Sequence, residues 1–231
     1  MLSDLQIARY SRQIILPAVG GSGQQKLLQT RMAVVGDQET ARTAALYLAA
    51  AGVGELLHIG NNSHLVDELN SANPDCRVSP APLPKAEHEA ATIVGGCDIV
   101  IDAGEKAAVT KLFNLQCCAA RKPLVWASTA AAVGEVSVFA GSRDSAPCFE
   151  CWQTRAAILP EAAGDPAVAA MLAGAVRALV GTLLATEAIK LALGLEPTLS
   201  GSLLVCDALD LSIRKTVVDK NPSCPICADS V

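Results

Sequence analysis

Residues 32–54, MAVVGDQETARTAALYLAAAGVG, constrain this chain more than any other stretch. Met32, Ala33, Val34 and Val35 form a continuous apolar run that stops at Gly36, the pattern of a strand buried on both faces. Thr40 is placed to cap a helix whose apolar face is Ala44, Ala45, Leu46, Leu48 and Ala49, and Gly52 and Gly54 end it. A strand, a short turn and a helix in this order open a nucleotide-binding domain. The turn argues the other way. A phosphate-cradling loop uses glycines so that backbone N–H groups can approach the ligand at the helix N-terminus. Here it reads Gly36-Asp37-Gln38-Glu39-Thr40-Ala41, with two carboxylates where a phosphate would arrive.

The rest of the chain alternates in the manner of an α/β protein. Residues 55–59 read as a second strand closed by Gly60-Asn61-Asn62-Ser63. Residues 73–74 and 79–84 read as loop and edge strand, because proline removes ladder donors. Residues 98–101 and 124–127 are buried strands around a helix at 107–120, and 136–139 alternates in strand fashion. Asp165-Pro166 starts a long helix that Gly194 ends, and 202–207 with 212–218 form a hairpin. At the N-terminus, 5–16 is a short helix with Arg9 and Arg12 close in angle, Pro17, Gly20, Gly21 and Gly23 make a loop, and 24–29 is a further short helix. The expected fold is a doubly wound, mostly parallel, Rossmann-like α/β sheet with right-handed crossovers and a C-terminal hairpin. We expect one domain over 1–231, divided into a helical arm (1–30), a Rossmann-like core (31–145) and a C-terminal part (146–231).

A formal charge of -5 gives no electrostatic case for nucleic acid or an anionic membrane. The most apolar long stretch, 167–195, is broken by Arg177, Glu187 and Lys190, so it reads as a core or interface helix rather than a membrane span. The N-terminus, MLSDLQIARYSRQ, carries charge too early for a signal sequence, and cytoplasm is the expected location.

Nine cysteines, an odd number, favour reduced thiols and metal over disulfides. Cys148-Phe-Glu-Cys151 and Cys224-Pro-Ile-Cys227 can present four thiolates tetrahedrally to Zn²⁺, a structural site because no ligand position stays open. A metal there would staple a tail that otherwise frays. The other readings are a redox CxxC or unrelated thiols, and two knuckles are far more specific than one. Cys76, Cys97, Cys117, Cys118 and Cys206 read as ordinary core or surface thiols. His58, His64 and His88 read as structural or solvated, and Glu187 with Lys190 as a helix-surface pair.

These pieces in this order resemble the ubiquitin-activating-enzyme-like adenylyltransferases, the ThiF/MoeB/HesA family that activates sulfur-carrier proteins. The matching stretches are ARYSRQIIL, the VVG strand with LYLAAAGVG, CDIVIDAG, AARKPLVWAS, GEVSVFA, APCFEC, ATEAIKLALG and NPSCPIC. The resemblance implies a two-fold dimer, a Cys₄ zinc site and an ancestral reaction in which ATP adenylates the C-terminal glycine of a ubiquitin-like carrier.

Carried over residue by residue, most of the family's nucleotide site is missing. Of the glycine-rich turn only Gly36 remains. The ribose-binding aspartate aligns with Gly60 and the acid after it with Asn62. The family's Asn-Leu-x-Arg-Gln segment and lysine have no counterpart, since no Arg or Lys lies from Gly60 to Asp75. The magnesium-associated aspartate aligns with Glu105, whose longer side chain could still reach a cation. The cysteine that some members carry after the first knuckle is absent. Arg12 matches the arginine that crosses the family's dimer to the partner's ATP. Asp37 and Glu39 also read as acids complementing a helix N-terminus, Asp102 and Glu105 as a polar strand end and turn, and Arg9 and Arg12 as interface salt-bridge formers.

The expectation is a degenerate member: a zinc-binding pseudoenzyme with a degraded ATP–Mg²⁺ site that acts as homodimer, as partner of an active relative, or as a scaffold for a sulfur carrier. The other reading is an active but divergent ATP-dependent adenylyltransferase of a ubiquitin-like sulfur carrier, relying on Arg12, Asp102 and Glu105, with Lys106 as a further candidate. A dinucleotide oxidoreductase would need a GxGxxG that the chain lacks.

Overall fold

In a computed structural model, described over residues 1–139, 146–154 and 165–228, the opening segment folds as strand, turn and helix. Strand β1 (Arg31–Val35) is buried from Met32 onward, and β2 (Glu55–Ile59) lies parallel to it in the register Arg31↔Glu55 to Val35↔Ile59. The helix between them, numbered α3 (Glu39–Ala51) after α1 (Asp4–Ile14) and α2 (Gly20–Gln29), ends at Gly52 in the left-handed region with φ 89°. Thr40 does not cap it. The capping position is Gln38, which makes no side-chain cap, and Thr40 is buried inside the first turn.

Three elements differ from the sequence expectation for clear reasons. Gly20, Gly21 and Gly23 belong to α2 rather than to a loop. A Cβ at Gly23 would stand 3.3 Å from Leu193, so the small residue lets α2 approach the end of the long helix. After β2, α4 (Ser63–Ala72) is capped by Asn62, whose Oδ1 accepts from Leu65 N at 3.2 Å. Beyond β3 (Arg77–Ala81), α5 (Glu87–Gly95) buries little more than Ala90 and Val94. Neither α4 nor α5 had been expected.

The strands β4 (Ile99–Asp102) and β5 (Leu124–Ala130), with α6 (Ala107–Ala120) between them, extend the parallel part of the sheet. Strand β6 (Val133–Phe139) turns back antiparallel to β5, and both are longer than expected because Val133 pairs with Ala130 across a tight turn. Then come α7 (Phe149–Gln153), α8 (Pro166–Leu193), β7 (Ser202–Asp207) and β8 (Ser212–Val217), the last two as the expected hairpin. The sheet order is β3-β2-β1-β4-β5-β6-β7-β8, five parallel strands continued by three antiparallel ones. The fold is therefore the mostly parallel Rossmann-like sheet with a C-terminal hairpin. The division expected at residue 145 falls outside the described residues.

One face of the sheet is covered by α3 and α8 through Leu48, Val176, Val180 and Leu184, the other by α6 and α7 through Phe113 and Phe149, the latter against Trp126 of β5. Each such buried side chain contributes about 1.5–3 kcal/mol. Helix α8 is long and apolar enough to cross a membrane by length and composition, and here it packs on α3, β5 and β6. Gly181 makes that crossing close, since a Cβ there would stand 2.5 Å from Thr40 O. Asp165 caps α8 by accepting from Ala167 N at 2.8 Å, and Gly194 ends it at φ 75°. Glu187 is not on the helix surface as expected. It is buried, 2.5 Å from Lys190 Nζ, and its other oxygen accepts from Leu199 N at 2.7 Å, which locks the helix to the loop that follows it.

Candidate functional site

Neighbouring parallel strands bring their C-terminal turns together. Val35 of β1 pairs with Asp102 of β4, so the turn after β4 reaches the start of α3. There Glu105 Oε1 accepts from both Asp37 N and Gln38 N, each at 2.7 Å. They belong to the turn that leads into α3, Gln38 being its N-cap and Asp37 the residue before it, where a phosphate-cradling loop would offer its N–H groups. Gly36, at φ 124°, makes room: a Cβ there would stand 2.5 Å from Glu105 Oε1. The acid that complements α3 is thus Glu105, reaching in from another strand, and its Oε1 is committed to backbone donors rather than to a cation.

Asp37 turns the opposite way. Its Oδ1 and Oδ2 each accept from Asn61 N at 2.9 Å, Oδ1 also accepts from Asn62 N at 3.0 Å, and His58 Nε2 lies 3.1 Å from Oδ1. Asp37 therefore serves the end of β2 rather than the helix donors expected of it, and only Glu39 stays on the first turn of α3, bonded by Arg42 and Thr43. His58 is 1% exposed and is a structural partner of Asp37.

Asp102 is buried in this turn. Its Oδ1 accepts from Gly104 N at 2.9 Å, and Oδ2 has no partner among the described residues. Desolvation pushes its carboxyl up to about 6. The cavity left between Gly36, Leu83, Asp102, Glu105 and Lys106 measures about 10 Å³, room for about one water. A larger cavity of about 380 Å³ lies at the opposite ends of the strands, among Lys26, Thr30, Asp98 and Pro123. Of the N-terminal arginines, Arg9 pairs within the chain with Asp75, which also accepts from Tyr10 OH. Arg12 is exposed, without an ion pair among the described residues.

Cys148, Cys151, Cys224 and Cys227 are all buried, and their sulfurs lie within 4.8 Å of one another. Cys148 Sγ is 3.6 Å from Cys224 Sγ and 3.9 Å from Cys151 Sγ, and Cys151 Sγ is 3.3 Å from Cys227 Sγ. A tetrahedron with Zn–S bonds of about 2.3 Å has edges of about 3.8 Å, so the four thiols fit a zinc ion. Asn221 N donates to Cys151 Sγ at 3.4 Å, an outer bond of the kind that charged thiolates need. The loop after the first knuckle lies outside the described residues.

Two buried side chains, Cys118 and Glu135, escaped sequence reasoning. Cys118 is buried in the same cluster, with its Sγ 3.9 Å from Asn114 Oδ1. The neighbouring Cys118 thiol, then the N–H of Cys151 and the other thiols, hold Cys148 below the usual thiol range against desolvation. By contrast, burial pushes Cys76 and Cys117 up to about 12, so they pack as small apolar groups. Glu135 on β6 is 3% exposed, its Oε1 has no partner among the described residues, and burial pushes it up to about 7. Its only signal was an acid at an inward position of the alternating GEVSVF run.

With this geometry in view, the likenesses to known proteins are informative. The ThiF family model matches residues 62–226. The sulfur carrier protein adenylyltransferase of Thermus thermophilus is 33% identical, over 97% of this chain and 92% of that protein. The molybdopterin-synthase adenylyltransferase of Escherichia coli is 30% identical, over 98% of each. Among solved structures, E. coli MccB superposes with a TM-score of 0.75 over 96% of this chain and 72% of that one, and at 18% identity it speaks for the fold. A family match from the first turn of α4 to the last knuckle, and relatives aligned over nearly the full chain, make this protein a member of the ThiF family.

Proposed function

We propose that this chain is a non-catalytic member of the family, a cytoplasmic, metal-stapled dimer partner or scaffold in the activation of a ubiquitin-like sulfur carrier. One observation carries the reading: the Glu105 carboxylate sits on two backbone donors of the turn that leads into α3, those of Asp37 and Gln38. A triphosphate would have to displace two charge-assisted hydrogen bonds worth about 1.5–3 kcal/mol each. It would then face Asp37 and Glu105 with no Arg or Lys from Gly60 to Asp75 to offset them. Adenylation depends on positive charge gathered around the phosphates, and loss of one such donor costs about 3–4 kcal/mol of barrier. The four cysteines would hold a zinc ion whose contribution is purely structural. Arg12, exposed on α1, is free to serve a partner's site. The test is ATP–pyrophosphate exchange by the purified chain with a ubiquitin-like carrier ending in glycine. No exchange is expected, and robust exchange overturns the reading.

A second reading, an active and divergent adenylyltransferase, is favoured by the names of the two relatives, both adenylyltransferases. It requires nucleotide binding, so calorimetry without an ATP–Mg²⁺ signal removes it.

A further inference from the structure

The two knuckles are held differently. The second is braced within its own turn: Cys224 N donates to Asn221 O and Ala228 N to Cys224 O, each at 3.0 Å, and Ser223 N donates to Asn221 Oδ1 at 3.0 Å. The first knuckle opens a short helix. Cys148 is the N-cap of α7 and Cys151 its third residue, so a single turn places both sulfurs. A helix N-terminus leaves its first N–H groups without partners inside the helix, and the N-cap side chain ordinarily takes one of them. The Cys148 side chain does not. The acceptor comes instead from 35 positions back in the chain: Asn114 Oδ1 of α6 takes the N–H of Phe149, the first residue of α7, at 2.9 Å. Asn114 is 2% exposed and Phe149 is buried, so the bond is shielded from water.

We infer that Asn114 is a positioning residue of the Cys₄ centre: its side-chain carbonyl, reaching over from α6, caps α7 and fixes the turn on which Cys148 and Cys151 face the metal. The inference rests on the metal reading above. A buried N–H left without an acceptor is costly, so the start of α7 stays where Asn114 is. The ring of the same Phe149 packs on Trp126 of β5, with centroids 5.3 Å apart, so its amide and its side chain are both tied to the core. The first pair of thiols is thereby aimed by the sheet and α6, whether or not the tail is docked. The second pair arrives with the tail. A half-site already in place needs less ordering when the metal binds, and it keeps Cys148 and Cys151 from swinging apart to let the metal go.

The test uses the full chain with two readouts: release of Zn²⁺ to a chromogenic chelator, and hydrogen exchange at the Phe149 amide. The chain has three phenylalanines, so ¹⁵N-Phe labelling isolates that amide. Asn114→Leu, which matches the size without an acceptor, should speed exchange at Phe149 and release metal about 10-fold or more faster, the scale of a lost outer-shell partner. If it does not fold, Asn114→Ala replaces it. Val109→Ala, a buried substitution earlier on α6, should leave both readouts near wild type. Wild-type exchange and release in the Asn114 variant, or equal acceleration in Val109→Ala, overturn the role. One measurement needs no variant: in the wild type the Phe149 amide should stay protected after chelation, because Asn114 and not the ion holds it. Loss of that protection with the metal overturns the inference. A wild-type chain that takes up Co²⁺ without sulfur-to-metal charge-transfer bands overturns the metal reading itself, and this inference with it.

Discussion

Asp37 occupies the space that a side chain at residue 60 would need. A Cβ built on Gly60 would stand 2.7 Å from Asp37 Cγ and closer still to Oδ1. The aspartate folds over the end of β2, and the glycine lets it bond Asn61 N, Asn62 N and His58. The family resemblance gives Gly60 to a ribose-binding acid. In this chain the acid comes from Asp37, and its oxygens are occupied by the chain's own donors.

Gly60→Ala should therefore destabilise the fold by about 1–3 kcal/mol through overpacking against Asp37. Gly60 is outside the left-handed region, so backbone strain adds nothing. Asp37→Ala alone should cost a similar amount through lost hydrogen bonds. The double variant should cost less than the sum by about 1 kcal/mol or more, as in-contact pairs do. Urea unfolding of the four proteins measures the coupling, and simple additivity would separate the two residues.

Glu105→Ala should free the N–H groups of Asp37 and Gln38 and cost about 1–3 kcal/mol. The exposed donors then form an anion site of the helix-terminus kind. Pyrophosphate at ten times its dissociation constant would return about 1.4 kcal/mol. Thermal shift in a pyrophosphate series should show that gain in the variant and none in the wild type. Equal responses would mean that Glu105 is not what closes the turn.

How much of this was legible beforehand depended on whether a residue's partner lies in its own pattern. Strands β1 and β4 were readable because burial on both faces leaves an apolar run. Helix α4 was not, since its buried stripe is only Leu65, Val66 and Leu69 amid polar residues, nor was α5, which buries Ala90 and Val94. The four knuckle cysteines were readable because the metal's geometry dictates their spacing. Glu105 on Asp37 N and Gln38 N was not, because that contact follows from the adjacency of β1 and β4. Cys118 was hidden for the same reason: only the docking of α6 on α7 brings it to Cys148.

Buried Glu135 makes stability pH-dependent. Its folded carboxyl is raised to about 7 from an ordinary 4.5 by desolvation, so between those values the folded chain holds a proton that the unfolded chain has released. Its contribution is fully present below pH 4.5 and is lost as pH rises through about 7. Asp102, raised to about 6 from 3.8, acts in the same direction at slightly lower pH. Glu135→Gln should be nearly neutral at acid pH and stabilising by about 2–3 kcal/mol at pH 8. Urea midpoints across that range measure it, and a pH-independent difference would refute the burial argument.

Metal removal should act on the C-terminal tail first. Cys224 and Cys227 follow the hairpin's last strand, and their contacts with Cys148 and Cys151 tie residues 221–228 to α7. Without the ion, four thiols in one buried cluster either stay protonated or repel as thiolates, and the tail loses its main attachment. Elemental analysis of protein purified without added zinc should give about one Zn per chain. Chelation should cost at least about 3 kcal/mol, which lowers the melting temperature by roughly 6–12 °C in a domain of this size. The knuckle variant Cys224→Ser should melt where the chelated wild type does and gain nothing from added zinc. In both, limited proteolysis should clip the chain after β8 while leaving the Rossmann-like core intact. Four titratable thiols with no bound metal, and a melting temperature indifferent to chelator, would show that packing alone holds the tail.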